Sequence, residues 1–83
     1  MEYSTIPTSS SKQGVVIAKH GLNMRTSASE QAEILISIPF NESVEIILTD
    51  GPEETIGTTT AKWMQVKYKD QTGWVWGGLL KIE

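Results

Sequence analysis

At 83 residues the chain has room for one domain, because a sequence this short cannot divide its apolar side chains between two cores. Hydrophobic residues make up 39% and charged residues 20%, a globular composition too small to surround a substrate on all sides, so a surface-acting binding module is favoured and a multidomain enzyme excluded. Ten acidic against seven basic side chains give a net charge of −3, which disfavours a nucleic-acid partner, and the lack of cysteine removes disulfides, thiolate nucleophiles and Cys-type zinc sites together.

Residues 1–13 are rich in Ser and Thr, contain Pro7 and show neither period-2 nor helical alternation, so they read as a disordered lead-in or linker ahead of a domain at 14–83. They carry neither the basic region nor the apolar stretch of a secretion signal. No apolar run approaches the ~20 residues that span a bilayer, so no membrane insertion is expected. From Gly14 onward short β-type runs alternate with Gly, Asn, Asp and Pro, and no helical stripe lasts three turns.

The first run is 15–18. Residues 31–38 contain a possible helical turn, but Ile34, Ile36 and Ile38 ahead of Pro39 favour a strand. In 43–50, Val44, Ile46 and Leu48 form the inward face. Residues 51–60, GPEETIGTTT, read as a long polar loop. Run 62–69 places Met64, Val66 and Tyr68 on one face and Trp63, Gln65 and Lys67 on the other, and run 73–76 sets Val75 opposite Trp74 and Trp76. A two-residue loop at Lys69 and Asp70 would bring Met64 against Val75 and Trp63 against Trp76, and a four-residue loop would leave the faces unchanged.

GVVIAKHGLNMR, IPFNESVEI and KWMQVKYKDQTGWVWGGLL, with Leu22-Asn23-Met24-Arg25, the Trp63-x-x-Val66 spacing and Thr72-Gly73-Trp74-Val75 in this order, resemble the bacterial SH3 (SH3b) domain family over 14–80. The resemblance implies an all-β fold, a small partly open SH3-like barrel of five or more strands with a tight distal hairpin and a short helical turn near Gly77–Leu79. Two positions depart from the family pattern: Ser27-Ala28 stands where Gly-Pro is usual, and Asn41 replaces a turn glycine whose positive φ asparagine tolerates.

The candidate ligand-binding residues are Trp63, Trp76, Phe40, Glu53 and Glu54. Trp63 and Trp76 form either an indole platform for a ligand or a structural cross-strand clasp. Trp74 reads as barrel-closing, Phe40 as a groove extension or a contact with a neighbouring domain, and Glu53 and Glu54 as a solvated acidic rim. His20 has neither a second histidine nor a cysteine to build a metal site, Asn23 reads as a turn cap and Arg25 as the partner of an acid. No triad or carboxylate pair across a cleft is evident, so no catalytic residue, metal or cofactor is expected. The resemblance implies a non-catalytic module for a peptidoglycan-type or other extended peptide, in an extracytoplasmic or cell-envelope setting. The alternative is a docking domain that contacts a neighbouring domain of a larger protein.

Overall fold

Residues 59–68 alternate apolar and polar side chains long enough to make a strand that serves two sheets at once, and the rest of the domain is arranged around it. A computed structural model describes residues 12–83 as eight strands: β1 (Lys12–Val16), β2 (Leu22–Arg25), β3 (Ile34–Ile38), β4 (Ser43–Leu48), β5 (Glu53–Ile56), β6 (Thr59–Tyr68), β7 (Gln71–Trp76) and β8 (Leu80–Ile82). A single 3₁₀ turn, Gly77–Leu79, links β7 to β8. The antiparallel order is β3-β2-β7-β6-β4-β1-β8, with β5 joined to β6 alone. Among the described residues no pairing joins β3 to β8, so the barrel is partly open.

Val16, Leu22, Met24, Ile38, Val44, Ile46, Met64, Val66, Tyr68, Val75 and Leu80 form one contiguous core. Every strand except β5 contributes to it, and β2, β4 and β6 do so through alternate positions, as in a sheet curled around its own apolar face. At the rim the Tyr68 hydroxyl donates to Glu42 Oε1 at 3.0 Å, so the ring is buried while its polar end is satisfied.

The expected distal hairpin is present with the expected register: Trp63 opposes Trp76, Met64 opposes Val75 and Tyr68 opposes Gln71. Lys69 (φ 50) and Asp70 (φ 64) both occupy the left-handed region, giving a two-residue I′ turn whose twist matches the flanking strands. Asn41 takes the expected positive φ, 74.

Several expectations are corrected. The first strand starts at Lys12: Lys12 pairs with Ile46 and Gln13 with Glu45, so these two residues belong to the fold, while the remainder of the expected lead-in lies outside the described residues. Residues 51–60 are not a loop: Glu53–Ile56 pairs with the start of β6 in a hairpin whose turn places Gly57 at φ 65. Leu48 is exposed rather than inward, because the β4–β6 register shifts between Ile46 and Leu48 and the extra residue, Ile47, ends the alternation. A second bulge sets Leu35 outside the β2–β3 pairing, where its Cδ1 overlies Gly73.

Candidate ligand-binding cleft

The β6–β7 hairpin has a second apolar face, built by Trp63, Trp74 and Trp76, that is separate from the core. Of the two readings of this pair, platform or clasp, the burial favours the clasp: Trp63 is only 2% exposed and Trp76 5%. What covers them is the β5–β6 hairpin, and one residue fixes both rings. Trp63 Nε1 donates to Glu54 Oε1 at 2.8 Å, and Trp76 Nε1 donates to the Glu54 carbonyl at 3.1 Å. Glu54 is thus a half-buried clasp that satisfies two indole N–H groups, not a solvated rim acid. Backbone bonds tie the same layer down: Gly51 N donates to the Trp63 carbonyl and Trp63 N to the Pro52 carbonyl. Under the other edge the 3₁₀ turn is pressed against Trp76, where a Cβ on Gly78 would stand 2.6 Å from the ring.

The indoles still border open space. A cleft of about 280 Å³ runs between the start of β2, the loop that follows it, the tip of the β5–β6 hairpin and the 3₁₀ turn. Leu22, Ile56, Trp63, Trp76 and Leu79 give its apolar wall, and Asn23, Arg25 and Glu30 its polar side. Phe40, 51% exposed, and Glu53, also exposed, line no part of it, so the five residues singled out from sequence are not brought together.

Asn23, Arg25 and Glu30 were not expected at a site: the first two project from β2, and Glu30 reaches it through the conformation of the loop at 26–33, to which Arg25 is bonded. That loop is built from local bonds: Thr26 N to the Glu33 carbonyl, Ala32 N to the Ser29 carbonyl, and Gln31 N to Ser29 Oγ. Arg25 Nη1 donates to the Ala32 carbonyl at 2.9 Å, so its partner is backbone and not the acid expected. Asn23 pairs with Ser37 within the β2–β3 ladder instead of capping a turn. His20 lies exposed in the turn before β2. Trp74, opposite Arg25, links β2 to β7, in keeping with the closing position expected of it.

Residues 20–81 match the family model for the bacterial SH3 domain. The chain belongs to the bacterial SH3 domain family. The match includes the whole cleft and the distal hairpin, and it makes this SH3 domain a binding module at the level of its family. No curated protein matches the chain. Among its described residues no helix is long and apolar enough to cross a membrane.

Proposed function

We propose that this SH3 domain is a non-catalytic module whose cleft takes a short stretch of extended peptide, of the peptidoglycan type. The observation that carries the reading is the cleft itself: an apolar wall of two braced indoles with Leu22, Ile56 and Leu79, faced by an amide, a guanidinium and a carboxylate. Apolar lining with a few convergent polar groups is the usual make-up of a ligand pocket, and braced rings need no ordering when a ligand arrives. About 280 Å³ lies just below the ~300–1,000 Å³ of drug-sized sites, a size suited to a short peptide segment and not to a folded surface.

Titrating isotope-labelled protein with muropeptides released from purified cell wall tests this. The expected result is resonance shifts at Gly21, Asn23, Arg25 and the Trp76 indole. Silence at these positions would overturn it.

The alternative, docking onto a neighbouring domain, is supported by a different surface. Phe40 and Ile17, 51% and 48% exposed, are brought near one another by the bond from Asn41 N to the Val16 carbonyl. An interface there would leave the cleft free.

A further inference from the structure

The polar side of the cleft holds two opposite charges, Arg25 and Glu30, that form no ion pair with each other. Arg25 spends one N–H on the Ala32 carbonyl and pairs with no carboxylate among the described residues. Guanidinium has five donors in a rigid fork, so most of this one stays available while the bond to Ala32 fixes its position. Glu30, in the loop that Arg25 anchors, is exposed and has neither a hydrogen-bond nor an ion-pair partner among the described residues. Asn23, half-buried between Leu22 and Met24, likewise has no side-chain hydrogen bond among them and offers both an acceptor and donors.

A ligand of one sign would satisfy one of these charges and be repelled by the other. We propose, building on the reading of the cleft as a peptide site, that it recognises a short peptide as a zwitterion. Arg25 receives the free carboxylate, Glu30 receives a free ammonium, Asn23 pairs with the peptide group between them, and small apolar side chains lie against Trp76 and Leu79. Bidentate geometry suits guanidinium to a carboxylate terminus, and a single carboxylate suits an ammonium. The chain's net charge of −3 gives no general attraction for such a ligand, so recognition has to come from these local groups.

Trialanine is a suitable probe, prepared with both ends free, with the amino end acetylated, with the carboxyl end amidated, and with both blocked, and titrated beside the muropeptides. Affinity for the free peptide should fall about tenfold on either single block and further on both. Glu30→Gln, which removes no contact within the domain, should abolish the effect of acetylation and leave that of amidation. Amidation therefore probes Arg25 without disturbing the loop that Arg25 holds. If blocked and free peptides bind the cleft equally, or muropeptides bind and their charged ends make no difference, the zwitterion proposal is overturned and the peptide-site reading stands. If neither trialanine nor muropeptides shift any cleft resonance, both fall.

Discussion

The β6–β7 hairpin presents two buried faces made in different ways. On the core face, Met64, Val66, Tyr68 and Val75 share one cluster with side chains from five other strands of the barrel, and only Tyr68 has a polar group to satisfy. On the indole face, Trp63 and Trp76 are covered by one added hairpin and, at Trp76, the 3₁₀ turn, and both of their N–H groups depend on Glu54. A face covered from many directions tolerates no charge. A face covered only by a hairpin and a short turn can leave an edge open, and the cleft lies between the two.

The largest effect should come from the core face. Val66 is fully buried, so Val66→Asp places a carboxylate with no partner at the centre of a small core and should abolish cooperative unfolding in a thermal melt. A folded Val66→Asp variant would mean that the two faces have been exchanged.

The indole face should yield less completely. Trp63→Ala removes a buried ring and is expected to destabilise by ~3–5 kcal/mol, read from denaturant unfolding. Glu54→Ala leaves both rings in place but removes the carboxylate that accepts from Trp63, while the backbone bond to Trp76 survives; a loss of ~1–3 kcal/mol is expected. The comparison between the faces fails if Glu54→Ala changes nothing, since the indoles would then be held by the core and not by β5.

The two faces also differed in how far they could be read from sequence. The core face was legible because period-2 alternation and a two-residue loop fix the register of Met64, Val66 and Val75 without outside information. The indole face was half legible: the pairing of Trp63 with Trp76 follows from the same register, but their burial depends on β5, whose sequence EETI lies within a polar stretch and has no apolar alternation of its own. The inward assignment of Leu48 failed for a similar reason, because a bulge is a property of two paired strands and one strand cannot announce it. Arg25 and Glu30 were invisible as a pair, since a loop of local side-chain and backbone bonds brings them to one cleft.

A smaller effect should separate the faces by pH. Burial first, then the hydrogen bond to the Glu42 carboxylate and its charge, hold the Tyr68 phenol above its ordinary 10.0. A group raised in the folded state contributes stability that is complete below its unfolded value and is lost as pH rises through the folded one. The melting temperature should therefore decline above pH 10.0 as the phenolate is forced to form, and Tyr68→Phe should flatten that decline. An unchanged alkaline slope in the variant would assign it to another group.

The smallest effect belongs to the turn that both faces share. Lys69 and Asp70 hold φ of 50 and 64, a conformation that side chains with a Cβ adopt at a cost of ~1–2 kcal/mol per residue. Aspartate is among the better tolerated, and glycine adds freedom to the unfolded chain, so the two terms partly cancel in Asp70→Gly. Combining it with Lys69→Asn supplies the Asn-Gly pair that I′ turns prefer and should raise stability by ~1 kcal/mol, or roughly 4–8 °C in a domain of this size. The turn lies at the opposite end of the hairpin from Trp63 and Trp76, so peptide affinity at the cleft should remain as it was. A rise in melting temperature with unchanged affinity separates the hairpin's contribution to the fold from its contribution to the cleft. A fall in melting temperature would show that Lys69 and Asp70 make contacts worth more than the strain they carry.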